Sequence, residues 1–378
     1  MFLPRPFLRR IIMSNSLGLY IHIPFCRSKC PYCDFFSKRG TYSDYKEYAD
    51  VLEDRIRAFG CAYKRDVNTV YFGGGTPSVI GEKLLCELID EIKNSFNVYD
   101  NAEITLEVNP DSGKKLDFFK LRSSGFNRIS IGMQSAVPDE LKILGRLHSA
   151  NDVISTVNNV KESGIENVSL DLMLGVPGQT TDSLKYSIDF CTSLGVKHIS
   201  SYILKLEENT YYYKNSDKYT FPDDDLTAEL YLLAVDYLAK KGYKQYEISN
   251  FSIPGFESRH NLRYWKLEDY LGIGASAHSL IDGRRFYYGR SIEDFKCDRI
   301  IEDGEGGTEE EFIMLSLRLS EGLDLDKLKI IRGGEPDPEF TNKCDKFINA
   351  GLMKLDGRRL SLTPNGYLLS NSIISDLI

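Results

Sequence analysis

Three cysteines fall close together, Cys26, Cys30 and Cys33, in the order C-x3-C-x2-C. One short loop with that spacing can wrap a single inorganic centre, because thiolates are the usual ligands of iron–sulfur clusters and of zinc. A four-cysteine site needs a fourth ligand, yet position 35, where a C-x3-C-x2-C-x-C pattern would place it, is Phe35. Cys61, Cys86, Cys191, Cys297 and Cys344 stand alone, mostly in helical patterns. Three ligands on a four-iron cluster would leave one iron open to a substrate or cofactor. A zinc knot or chance clustering is the plainer alternative.

Further polar residues sit where short β-rich runs end. GGGTPS (Gly73–Ser78) lies between a strand pattern and a helix pattern, where glycines let a ligand approach the backbone. Glu107, Gln134 and Asp171 each close a strand pattern and could hold hydroxyl or ammonium groups. Asp171 lies inside the apolar run DLMLGV, where a buried charge needs a reason. Arg146, in GRLHS, offers a fork that matches a carboxylate, although a surface ion pair explains it equally well.

The elements that must position these residues follow a repeat. SSGFNRIS, ESGIENVS and SLGVKHIS share one register: a helical run closed at Gly125, Gly164 or Gly195, then a short strand. Upstream runs of the same kind are LGLYIHI, NTVYFGG and EITLEV, with amphipathic helices expected near 42–59, 81–96, 113–124, 138–161 and 180–193. Six strand–helix units between residue 17 and about 205 predict a parallel sheet, favoured here as a partial (β/α)6 barrel of the TIM type. In such an array functional residues gather at the C-terminal ends of the strands, which is where the residues above fall.

The expected organisation is α/β: an extension over 1–16, with Met13 as an alternative start, then the partial barrel over 17–210. A region of α+β character follows over 211–300, and a winged-helix-like module over 308–378, beyond the joint EDGEGG. The chain of 378 residues carries 47 Lys and Arg against 55 Asp and Glu, net −8. That balance argues against nucleic acid as a partner. No run of about 18 apolar residues is present, so membrane contact would be peripheral at most. The first twelve residues lack the pattern of an export signal, which points to the reducing cytoplasm and to metal or redox chemistry for clustered cysteines.

HIPFCRSKCPYCDF, with GGGTPS, EVNP, GMQS, R-x-H and DLMLGVPGQT in that order, resembles the radical S-adenosylmethionine (SAM) superfamily over residues 17–205. Within it, the chain is similar to the branch around oxygen-independent coproporphyrinogen III oxidase. HNLRYW (His260–Trp265) and LGIGASAHS (Leu271–Ser279) look like the haem chaperones of that branch. The resemblance implies that Cys26, Cys30 and Cys33 ligate a 4Fe–4S cluster whose open iron is chelated by SAM, which the reduced cluster cleaves to a radical. It assigns Tyr20, Tyr32, Gly74, Gly75, Thr76, Glu107, Gln134, Arg146 and Asp171 to SAM binding.

Phe35 in place of a fourth cysteine, and the short segment before the loop, count against oxidase activity on a tetrapyrrole propionate. They favour a chaperone that binds haem as cargo and passes it to haemoproteins such as respiratory-chain enzymes. Members of this kind suggest a monomer or a cluster-dependent homodimer. His260, between Arg259 and Arg263, is the candidate haem ligand, with His278 second; a structural role for the HNLRYW element has equal weight on the residues alone.

Overall fold

A computed structural model describes residues 16–378, so the expected extension, apart from Ser16, and the alternative start at Met13 lie outside the described residues. Six strands run in sequence order and pair in parallel: β1 (Leu17–Ile23), β2 (Asp66–Gly74), β3 (Asn97–Val108), β4 (Arg128–Gln134), β5 (Asn167–Leu174) and β6 (His198–Ile203). Helices join them, and Gly125, Gly164 and Gly195 take the left-handed φ values of 114°, 86° and 59° that close a helix before the next strand.

Alternation along the strands builds two different faces. Ile104 and Leu106 of β3, Ile129 and Ile131 of β4, and Val168 and Leu170 of β5 are buried in the apolar core under the helices. Their neighbours Glu107, Arg128, Ser130, Asp171 and Ser200 line a cavity on the other face. The period-two pattern thus gives an apolar outside and a polar inside to the array.

Two expected helices are each broken in two. The span 113–124 forms Pro110–Gly113 and Phe118–Ser124, because Asp117 accepts a bond from the Lys120 amide and caps a new helix. The span 138–161 forms Pro138–Ile143 and Ala150–Glu162. Gly145 has φ 65°, and Ser149 caps the second helix in a reciprocal pair with Asp152. The break sends Arg146 towards the cysteine loop.

The expected α+β region has no sheet of its own. β7 (Lys244–Glu247) and β8 (Asn250–Ser252) extend the sheet beyond β6. β9 (Tyr270–Ile273) pairs in parallel with β1, and β10 (His278–Ile281), β11 (Arg284–Tyr288) and β12 (Ile300–Glu305) follow outward. The result is one open twelve-stranded sheet with the six parallel strands at its centre. Long-range pairing outranks the change of local pattern after residue 205.

The end of the chain is a separate small layer. Helix Glu309–Ser316, strand β13 (Leu323–Asp324), helices Leu325–Arg332 and Pro338–Asn349, and the hairpin β14 (Met353–Asp356) and β15 (Arg359–Leu362) follow in order. That is winged-helix topology. It is joined to the large sheet by the Ser320 amide on the Tyr246 carbonyl and the Ile248 amide on the Arg318 carbonyl.

Candidate functional site

The cysteine loop leaves the end of β1 and is tied at its base. The Cys26 amide donates to the Lys38 carbonyl at 3.0 Å and the Lys38 amide to the Pro24 carbonyl at 2.8 Å. Arg290, far along the chain, pairs with Asp34 on the loop, and the Tyr212 amide donates to the Pro31 carbonyl. The Cys26 sulfur lies 3.3 Å from the Thr76 hydroxyl, and Arg146 Nη1 donates to the Cys30 sulfur at 3.6 Å. Burial pushes the Cys33 thiol up.

All three sulfurs face one cavity of about 610 Å³ at the C-terminal ends of the parallel strands. Among the described residues no three His, Cys, Asp or Glu side chains gather closely enough for a single metal ion. A cluster several ångströms across is the centre this donor set fits, with thiolates on one side and the cavity on the other. The isolated cysteines stay away: Cys191 and Cys344 are buried elsewhere, and Cys61 and Cys297 are exposed.

Tyr32, Gly74, Gly75, Thr76, Glu107, Gln134, Arg146 and Asp171 line the same cavity. The glycines are demanded first by the protein itself. A Cβ on Gly74, at φ 112°, would lie 2.7 Å from the His22 ring, and one on Gly75 would lie 2.7 Å from the Phe25 backbone. Arg146 is fully engaged: besides Cys30 it holds Asn109 Oδ1 and the Gly132 carbonyl, both at 2.7 Å. Its side chain is thus an organiser of the loop, and the free carboxylate clamp expected of it is not what the geometry presents.

Gln134 has φ 69°, a left-handed conformation in a residue that ordinarily avoids it, and accepts a 2.9 Å bond from the Tyr202 hydroxyl. Such backbone strain, about 1–3 kcal/mol, persists where the surroundings impose it, as at binding sites. Burial, with Asp171 nearby, lifts the Glu107 carboxyl to about 7, against the 2.8 Å bond it accepts from Tyr71. Burial also raises Asp171, which accepts from Ser130 at 3.2 Å. An incoming ammonium would favour the ionised form of both carboxyls, and a hydroxyl could bond to either form.

Tyr20 and His260 stand behind the wall. Tyr20 stacks on Tyr71 and on His260, with ring centroids 6.2 and 6.4 Å apart. His260 is 0% exposed; its Nδ1 lies 2.9 Å from Thr69 Oγ1, its Nε2 2.8 Å from the Tyr264 hydroxyl, and its amide donates to Glu103. Both ring nitrogens are occupied, so the haem-ligand expectation for His260 is corrected to a structural one. The element seats the second half of the chain against β2 and β3. His22, His148 and His198 are buried and hydrogen-bonded as well, which leaves His278 as the exposed histidine.

Sequence reasoning missed Arg128, Ser130, Tyr71 and Asn109. The signal for Arg128 was present: in RISIGMQ it shares a face with Ser130, Gly132 and Gln134.

Known proteins place this arrangement. The pattern of the Radical SAM superfamily matches residues 20–191, and that of the HemN C-terminal domain matches residues 310–369. The heme chaperone HemW of Bacillus subtilis is 36% identical over 370 residues, 94% of this chain and 97% of that protein. The heme chaperone HemW of Escherichia coli K12 is 33% identical over 371 residues, 95% and 97%. Among solved structures, coproporphyrinogen III oxidase (HemN) from Escherichia coli superposes with a TM-score of 0.81 at 21% identity, covering 100% of this chain and 93% of that one. With its cysteine loop, its six-stranded parallel core and likeness along nearly the whole length, the chain belongs to the HemW family of radical SAM proteins.

Proposed function

We propose that this chain binds haem and delivers it to haemoproteins, respiratory-chain enzymes among them, using a 4Fe–4S cluster and SAM held in the cavity. The observation that carries the reading is the identity to heme chaperones along nearly the whole of both chains. When bound, the cluster and SAM supply reductive radical chemistry; the protein's part is positioning and shielding. Cys26, Cys30 and Cys33 hold the cluster, and Arg146 keeps a positive charge against the Cys30 sulfur. Burial lifts the Glu107 carboxyl to about 7, and a cationic ammonium beside it would favour the ionised form. Gly74, Gly75 and Thr76 form the backbone shelf for the methionine part, and Gln134 and Asp171 hold the remaining polar groups.

The mouth of the cavity suits a flat apolar cargo. Phe35 is 70% exposed there and Ile203 40%, beside Lys29 and Lys205. Exposed aromatic and aliphatic groups next to cations fit a ring that carries acids at its edge. No helix of the described chain is long and apolar enough to cross a membrane.

An anaerobic haem titration of cluster-loaded protein, with and without SAM, tests the reading. One haem per chain is expected, with no decarboxylation of coproporphyrinogen III under strong reductant. Absence of haem binding, or turnover of that substrate, would sink it. Cys30→Ser should lose the brown absorbance and the iron.

A further inference from the structure

Deep in the cavity lies a cation short of hydrogen-bond partners. Arg128 opens β4 and is 1% exposed. Its Nε and Nη1 are buried without a hydrogen-bond partner, although it lines the same cavity as the three cysteines. Buried guanidinium groups are ordinarily paired, because five donors withdrawn from water cost far more than one good fork returns. Glu107 and Asp171 feel its charge, yet each is bonded to another residue, Tyr71 and Ser130. Asn250 Oδ1, elsewhere in the cavity lining, is also buried and unpartnered.

We infer that the cavity floor is a binding site for a carboxylate, held by the Arg128 guanidinium at the start of β4, away from the cysteine loop. Arg128 and Gln134 are the two ends of a seven-residue strand, about 20 Å apart at about 3.3 Å per residue. Arg128 lies two residues along β4 from Ser130, the register partner of Glu107, so a carboxylate on Arg128 belongs either to a second ligand or to the methionine end of the cofactor. Under the haem reading, on which this identification rests, it is a propionate: the apolar ring meets Phe35 and Ile203 at the mouth while an acid leads inward. The same chemistry would be met by the amino-acid carboxylate of a SAM molecule seated deeper.

The test compares two ligand pairs on the full-length, cluster-loaded protein under anaerobic conditions: haem against haem dimethyl ester, and SAM against decarboxylated SAM. Wild type is expected to prefer haem to its ester by about 10- to 100-fold, the worth of a charge-assisted bond. Arg128→Gln should erase that preference and leave the SAM ratio unchanged. Arg128→Lys keeps the charge and loses the planar fork, so it should reduce the preference in the same direction. Loss of the SAM ratio instead, with the haem ratio kept, would retain the carboxylate site and assign it to the cofactor. Wild-type ratios for both pairs in both variants would overturn the inference, leaving Arg128 as a counter-charge to Glu107 and Asp171. Where Arg128→Gln does not fold, wild-type ratios in Arg128→Lys decide against it alone. Failure of every form to bind haem would sink the haem reading, and the SAM pair would still judge Arg128.

Discussion

The Arg146 guanidinium touches the Cys30 sulfur at 3.6 Å while its other terminal nitrogen grips Asn109 and the Gly132 carbonyl. One side chain thus links the cysteine loop to the ends of β3 and β4. A cation bonded to a cluster sulfur favours the more negative, reduced state. Arg146→Gln is expected to move the cluster potential to more negative values in an anaerobic redox titration, and Arg146→Lys to restore part of the shift. An unchanged potential in both would show that the contact has no electronic role.

Gly132 makes that reach possible. A Cβ there would lie 3.1 Å from Asn109 Oδ1, 3.2 Å from Gln134 Nε2 and 3.3 Å from Arg146 Nη2. Gly132→Ala should push Arg146 off its partners and lower cluster affinity by about 10- to 100-fold, as loss of an outer support does. Iron retained after gel filtration with a chelator measures it. Retention equal to wild type would mean that Arg146 finds another seat.

Two glutamates with raised carboxyls give a pH signature. Burial raises both Glu107 and Glu247 from 4.5 to about 7. Between those values the folded chain keeps protons that the unfolded chain has released. Their contribution to stability is therefore complete below about pH 4.5 and lost as pH rises through about 7. His260 works the other way: burial first, then Arg263 and Arg128, press it down to about 3. Its contribution is complete above the ordinary histidine value and is lost as pH falls through about 3. The apo protein with Glu107→Gln should lose less melting temperature from pH 5 to pH 8 than wild type does. Parallel curves would contradict the raised Glu107.

His260→Ala removes a fully buried ring bonded to Thr69 and Tyr264 and leaves both hydroxyls short of a partner. A loss of about 1–3 kcal/mol in unfolding free energy is expected, with the same haem spectrum and stoichiometry per folded molecule. A haem band lost at unchanged melting temperature would restore His260 as the ligand.

What could be read from the sequence follows the range of the interactions. β1 to β6 were legible because each carries its own apolar period, and β4, β5 and β6 also follow a closing glycine, Gly125, Gly164 and Gly195. The cysteine loop was legible because Cys26, Cys30 and Cys33 lie within eight residues of one another. The breaks beside Asp117 and Gly145 were not, since the apolar period runs across both and only capping chemistry interrupts it. The pairing of β9 with β1 joins residues some 250 positions apart, which no local pattern encodes. His260 misled because a histidine between arginines reads as a ligand until its two partners, Thr69 and Tyr264, are seen to be waiting for it.

The place of β1 in the sheet has a practical consequence. It lies between β2 and β9, and β6 lies between β5 and β8. Cutting the chain after β6, where the repeat stops, would leave a raw edge on both flanks, one of them the strand that feeds the cysteine loop. Such edges recruit other chains and drive aggregation. A piece that keeps both flanks of the parallel core covered therefore runs at least through β9, some 70 residues beyond the point where the repeat stops.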